Sequence, residues 1–170
     1  RKTSQILGVQ IIGEEGVDKR IDVFVTAISF KARAGDLFHL DLAYAPPFST
    51  TKDPVMYTGM ALQNAIDKKN RLITPQELTD RIESGEKFQI IDTRATKQYE
   101  VSNVDGAINI PLAKLRSEAQ NLDPNLPTVT YCNSGVTGNA AQNVLRNLGF
   151  KEVFNLSGGN KNYQSFNNGK

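Results

Sequence analysis

The only cysteine of the chain, Cys132, sits in "TYCNSGVTGNAAQNVL" (130–145), between an apolar β-like run and a helix-like run. A thiol attacks as its thiolate, and a thiolate needs donors around it. The spacing predicts a strand ending at Cys132 and a helix beginning after Gly138, with backbone N–H groups of the loop and the helix start aimed at the sulfur. Those groups and the helix dipole favour an anion. They should lower the thiol pKa from about 8.5 toward the roughly 3.5 to 7.5 of activated cysteines. Gly135 and Gly138 permit positive φ and a close approach of backbone to a bound anion. A thiolate, or a persulfide on the same sulfur, is what such a geometry could hold. The competing reading is a small buried side chain that merely packs, the usual role of a free cysteine. The glycine-bearing loop and the helix behind it favour chemistry.

Other thiol chemistries fit less well. A cysteine-based phosphatase needs an arginine six residues after the cysteine, where a bidentate guanidinium clamps phosphate. That position is Gly138, and the next arginine is Arg146. A Cys–His pair has little support, because the lone histidine, His39, lies in another segment and reads as a surface or interface residue. One histidine and one cysteine leave no His/Cys cluster for zinc, so no metal is expected. Over 170 residues, a hydrophobic content of 39% and a charged content of 22% fit a soluble globular protein of one domain, or a domain with an appendage. The net charge of +2 is too small to argue for nucleic acid or an anionic membrane as partner. No apolar run approaches the roughly 18 residues of a membrane span. A single cysteine cannot form an intramolecular disulfide, which fits a cytoplasmic setting. The chain opens on Arg1, which suits a fragment or a processed product.

Two segments meet near Lys68-Lys69-Asn70-Arg71. In the first, "QILGVQII" (5–12) reads as a strand ended by the Gly13–Gly16 turn. Val17, Ile21, Phe24, Val25 and Ile28 then recur at helical spacing, with Gly35 as the expected stop. "LAYAPPFSTT" reads as extended because of its paired prolines. Asp53-Pro54 supplies an N-cap and first-turn proline for a helix through Ile66. In the second segment, Thr74, Pro75 and Glu77 form a capping box for a helix ended by Gly85. Strands follow at "FQIID" (88–92), "AINIP" (107–111), "LPTVTYC" (126–132) and "KEVFNL" (151–156). Helices are expected from Pro111 and from Gly138 to Gly149. Strands alternating with helices predict an α/β fold, a parallel sheet flanked by helices.

The second segment resembles a rhodanese domain. The resemblance rests on "QIIDTRATKQYEVSNVDGAINIP", "TVTYCNSGVTGNAAQNVLRNLGF" and "VFNLSGG", in that order, over roughly residues 72 to 166. It implies a rhodanese-like domain over 72–170 and Cys132 as the sulfur-accepting nucleophile. The persulfide would be cradled by the loop Asn133, Ser134, Gly135, Val136, Thr137 and Gly138. Asp92 and Arg94 match an Asp-x-Arg whose family role is mainly structural, beside that loop. Many active relatives carry arginine where this chain has Thr137, which bears on binding of anionic thiosulfate. The family's Gly-His-Ile-Pro-Gly-Ala stands here as Ser102-Asn103-Val104-Asp105-Gly106-Ala107.

The first segment, through "ILGVQIIGEEGVDKRIDVFVTAI" and "LDLAYAPPFSTTKDPVMYTGMALQNAID", resembles the end of the dimerisation domain of pyridine nucleotide-disulfide oxidoreductases. The branch it suggests is that of coenzyme A disulfide or persulfide reductases fused to a rhodanese. The resemblance implies a partial dimerisation domain over 1–67, a small incomplete α+β segment, and a likeness to the C-terminal fragment of such an enzyme. It implies a homodimer, with "QILGVQII" pairing with another copy or folding against the rhodanese domain. Tyr44 of "AYAPP" would face a partner subunit's active site in the full-length enzyme, although in this fragment a half-buried packing tyrosine is the better reading. FAD and NAD(P)H are implied for full-length relatives only. No G-x-G-x-x-G occurs in this chain, and no cofactor is expected on it. The implied partners are a low-molecular-weight persulfide, polysulfide or thiosulfate as donor, and a thiol as acceptor. Two alternatives stay open: a catalytically weak binding and dimerisation module, and a thiol redox sensor, which would lack a resolving cysteine.

Overall fold

A computed structural model describes residues 3–67 and 71–169. The chain divides into two compact units, one up to residue 69 and one from residue 70. The junction expected at Lys68-Lys69-Asn70 lies outside the described residues.

The N-terminal unit holds helices α1 (Val17–Ser29), α2 (Ala34–Phe38) and α3 (Pro54–Ile66). Ile6, Phe24, Leu37 and Val55 form its buried core. Asp53 caps α3 by accepting the Val55 N–H at 2.9 Å, and Pro54 occupies the first turn. Two expectations fail here. The run 5–12 is not a strand: it contributes a single antiparallel bridge, Gln5 to Arg33, and no neighbouring strand runs beside residues 6–12 among the described residues. Extended backbone needs a partner to become a ladder, whatever its side-chain propensity. Gly35 does not stop α1 either. The helix ends at Ser29 because Lys31 turns left-handed at φ 56°, with its N–H on the Ile28 carbonyl and that of Ala32 on Ala27. Gly35 instead lies inside α2. The "LAYAPPFSTT" stretch is irregular, with a turn closed by the Phe48 N–H on the Ala45 carbonyl.

The C-terminal unit is built on β1 (Arg71–Ile73), α4 (Pro75–Glu83), β2 (Gln89–Asp92), α5 (Thr96–Val101), β3 (Ile108–Asn109), α6 (Leu115–Glu118), β4 (Thr128–Tyr131), α7 (Val136–Asn147), β5 (Val153–Leu156) and α8 (Gly159–Asn168). The five strands form one parallel sheet in the order β1-β5-β4-β2-β3. One apolar cluster, including Leu78, Ile90, Val129, Tyr131 and Leu156, packs on one side. A second, including Ile91, Leu115, Ala141, Leu145 and Phe150, packs on the other. The α4 capping box is present: Thr74 accepts the Glu77 N–H, and Glu77 accepts the Thr74 N–H.

Three boundaries differ from expectation. The helix expected from Pro111 is broken, with tight 3-10 turns at Leu112–Lys114 and Ala119–Asn121 flanking α6. That path buries Leu115, Ala119 and Leu122 together. Helix α7 starts at Val136, not after Gly138, because Gly135 at φ 104° turns the chain straight into the helix. Helix α8 follows β5 over a stretch for which the sequence reading places no element.

The strand order fixes where a site can form. From β2 the chain moves outward to β3, and from β4 outward to β5. Neighbours β2 and β4 therefore make the switch point, with a crevice beyond their carboxyl ends. Asp92 and Tyr131 face each other in register at that end.

Candidate active site

Cys132 follows β4 directly and is 5% exposed. The left-handed turn at Gly135 folds the next residues back over it, so that the Gly135 N–H donates to Cys132 Sγ at 3.1 Å. Burial alone would push the thiol pKa up. It is outweighed by the Thr137 hydroxyl and by the backbone N–H groups of Gly138, Ser134 and Gly135, which hold the pKa below its ordinary value. Val136, Thr137 and Gly138 belong to the first turn of α7, so the donors come from a short loop and the helix end itself. This is the arrangement that steadies an anion.

The loop is held from below by contacts to its carbonyl oxygens. The N–H groups of Asn160 and Lys161, at the start of α8, donate to the carbonyls of Cys132 (2.7 Å) and Asn133 (3.2 Å). Gly159 makes this docking tight: a Cβ there would collide with the Cys132 carbonyl oxygen and come within 2.8 Å of the Ser134 nitrogen.

Asp92 and Arg94 stand beside the cradle. Asp92 is fully buried, and Arg94 grips it through Nε (3.0 Å to each oxygen) and Nη2 (2.6 Å). Arg94 Nη2 also donates to the Ser102 carbonyl at 2.5 Å, and Nη1 donates to Asn133 Oδ1 at 3.2 Å. Burial pulls the Arg94 pKa down, but Asp92 and Tyr131 more than restore it, so the guanidinium stays charged. Tyr131, whose phenol burial pushes far above its ordinary value, accepts the Val104 N–H at 3.1 Å and lies under the guanidinium.

The structure thus brings together Cys132, the whole run Asn133–Gly138, Asp92 and Arg94. Tyr44 belongs to the N-terminal unit and is no part of this cluster. It is 53% exposed and lines a cavity of about 740 Å³ with Lys19, Arg20 and Phe48. His39, exposed, lays its ring against Phe38. Among the described residues no His/Cys/Asp/Glu group could hold a metal, and no helix is long and apolar enough to cross a membrane. Sequence reasoning missed Asn155, Asn160 and Ser102. Asn155 left a signal, a polar residue inside the apolar strand "VFNL".

Residues 74–166 match the rhodanese-like domain family. The chain is 30% identical over 117 residues to the "Probable adenylyltransferase/sulfurtransferase MoeZ" of Mycobacterium tuberculosis, over 67% of this chain and 30% of that protein. It is 33% identical over 70 residues to the thiosulfate sulfurtransferase GlpE of Coxiella burnetii, over 41% of this chain and 65% of that protein. Among solved structures, reduced Bacillus anthracis CoADR-RHD aligns with TM-score 0.80 and 35% identity over 89% of this chain. An NAD-dependent persulfide reductase from A. fulgidus aligns with TM-score 0.74 and 32% identity, also over 89%. The chain spans 27% and 26% of those two proteins.

Proposed function

The chain belongs to the rhodanese-like family, and from that premise we propose that it transfers sulfane sulfur through a persulfide on Cys132. The thiolate attacks the outer sulfur of a persulfide, polysulfide or thiosulfate. The Sγ–S bond forms as the donor's S–S bond breaks, and the donor leaves as a thiolate, a shortened polysulfide or sulfite. An acceptor thiolate then attacks the outer sulfur, and Cys132 departs as thiolate. Each step is a displacement with no net redox change and needs no metal. The observation that carries this reading is the ring of donors on Sγ from Gly135, Ser134, Gly138 and Thr137. It steadies the anion both before attack and after departure.

The test is intact-protein mass spectrometry after incubation with polysulfide or thiosulfate. One sulfur atom should be gained, be removed by dithiothreitol and be absent in Cys132→Ser. A thiol that reacts with iodoacetamide yet gains no sulfur would favour a binding module.

The same premise extends to the N-terminal unit, which we read as part of the dimerisation domain of a longer cytoplasmic coenzyme A disulfide or persulfide reductase. The support is that 89% of the chain aligns with CoADR-RHD and with the NAD-dependent persulfide reductase alike, more than the C-terminal unit alone can supply. The exposed Leu7, Ile12, Phe30 and Phe48 suit a homodimer contact. Sedimentation showing only monomer at every concentration would count against it. The residues here do not fit a dinucleotide: the first strand-to-helix turn of the parallel sheet is Thr74-Pro75, with no glycine for a pyrophosphate to approach. FAD and NAD(P)H belong to the longer protein, and no step here runs through them.

A further inference from the structure

Asn155 sits in the middle of β5 between Phe154 and Leu156, 5% exposed. Its Nδ2 donates to the Gly135 carbonyl at 3.1 Å. Its Oδ1 is buried and finds no hydrogen-bond partner among the described residues. An unpaired buried amide oxygen is destabilising, and an apolar side chain of similar size would avoid that cost. Stability alone therefore does not account for asparagine here. The half of the amide that is used points at the cradle.

A peptide unit is planar and trans, so its C=O and N–H point in opposite directions. Anchoring a carbonyl therefore aims the following N–H. Helix α8 anchors the carbonyls of Cys132 and Asn133, and the Thr130 hydroxyl lies 2.9 Å from that of Gly138. The Gly135 carbonyl is held by Asn155 and by the Asn139 N–H at 2.9 Å. The Gly135 carbonyl shares its peptide with the Val136 N–H, so anchoring it fixes the exit of the left-handed turn and the direction of the first turn of α7, which carries Thr137 and Gly138 to the sulfur. The N–H of Gly135 itself meets Sγ from the preceding peptide.

We propose that Asn155 is a positioning residue: by anchoring the Gly135 carbonyl from beneath, it holds the Ser134–Gly138 backbone with its donors on Cys132 Sγ. Gly138 enters the same device. A Cβ at Gly138 would collide with Asn155 Oδ1, while its other neighbours, Tyr131 Cα at 3.1 Å and the Cys132 nitrogen at 3.3 Å, are only tight. Alanine at 138 is accommodated by displacing the Asn155 amide, which breaks its bond to Gly135. The space beneath α7 thus couples the two residues.

The inference rests on Cys132 being the reactive thiol, but its test uses no sulfur donor, so it stands or falls apart from persulfide formation. The pH dependence of iodoacetamide alkylation gives the thiol midpoint for wild type, Asn155→Leu, Asn155→Ala, Gly138→Ala and Asn155→Ala/Gly138→Ala, with circular dichroism reporting the fold. Asn155→Leu should shift the midpoint up by about half to one pH unit, the weakening of one charge-assisted hydrogen bond. Gly138→Ala should shift it similarly in wild type and much less in the Asn155→Ala background. A folded Asn155→Leu protein with an unmoved midpoint would overturn the proposal. So would a Gly138→Ala shift of the same size in both backgrounds, a comparison that holds even if the leucine variant does not fold.

Discussion

Arg94 reaches from the end of β2 to donate through Nη1 to Asn133 Oδ1 at 3.2 Å, tying one strand's exit to the residue after Cys132, just past the end of the neighbouring β4. The same guanidinium neutralises Asp92, which is completely buried. Truncating one partner of a buried ion pair strands the other charge and costs about 3–5 kcal/mol. Arg94→Ala should lose about that much stability in urea unfolding. Arg94→Lys keeps a charge but not the planar fork that serves Asp92, Ser102 and Asn133 together, and should fall between the two. An alanine variant with the wild-type midpoint would show that the pair holds nothing up.

The depressed thiol pKa of Cys132 makes stability depend on pH with a definite sign. A group whose folded pKa lies below its unfolded value contributes stability that is present above the unfolded pKa, about 8.5 for a thiol. That contribution is lost as pH falls through the folded pKa. The difference in Tm between wild type and Cys132→Ala should therefore move in favour of wild type as pH rises through that window. A difference that stays flat, or moves the other way, would mean that the donors do not favour the thiolate over the thiol.

The parts of this site that sequence discloses are those made by neighbours along the chain. Thr74, Pro75 and Glu77 announce the start of α4 because all three partners of the cap lie within one turn. Cys132 and Gly135 announce a strand, a turn and a helix for the same reason. Asn155 and the α8 amides are remote from Cys132 in sequence and reach it only once the sheet places β5 beside β4. The misplaced start of α7 is a local ambiguity, since Gly135 and Gly138 are both plausible boundaries and the left-handed turn selects the first. Residues 5–12 mislead for the opposite reason: their β propensity is real, but a ladder depends on a partner strand.

Gly159→Ala tests how closely α8 must dock beneath the cradle. Gly159 has φ 62°, and an added Cβ would meet the backbone of Cys132, Asn133 and Ser134, none of which can swing aside as a side chain could. Left-handed strain and overpacking together cost about 2–4 kcal/mol. The variant should lose stability by that amount and also lose sulfur loading, because the Cys132 and Asn133 carbonyls part from the N–H groups of Asn160 and Lys161. Full loading in mass spectrometry would show that the α8 contacts are dispensable for orienting the loop.

Thr137 puts a neutral hydroxyl against Sγ, where a guanidinium would supply a full charge. The two differ most for donors that bring negative charge of their own. Thiosulfate carries two charges into the site and loses sulfite, whereas the persulfide of an uncharged thiol brings at most one. Thr137→Arg should raise the rate of loading from thiosulfate about tenfold, the equivalent of about 1.4 kcal/mol from one charge-assisted hydrogen bond. Loading from a neutral thiol's persulfide should change much less. Thr137→Val removes the hydroxyl at nearly constant shape and should move the alkylation midpoint upward, slowing both donors at neutral pH. Stopped-flow loading followed by quench and mass measurement separates these effects. Equal acceleration of both donors by arginine would place its effect on the thiolate itself, leaving position 137 without a role in choosing between them.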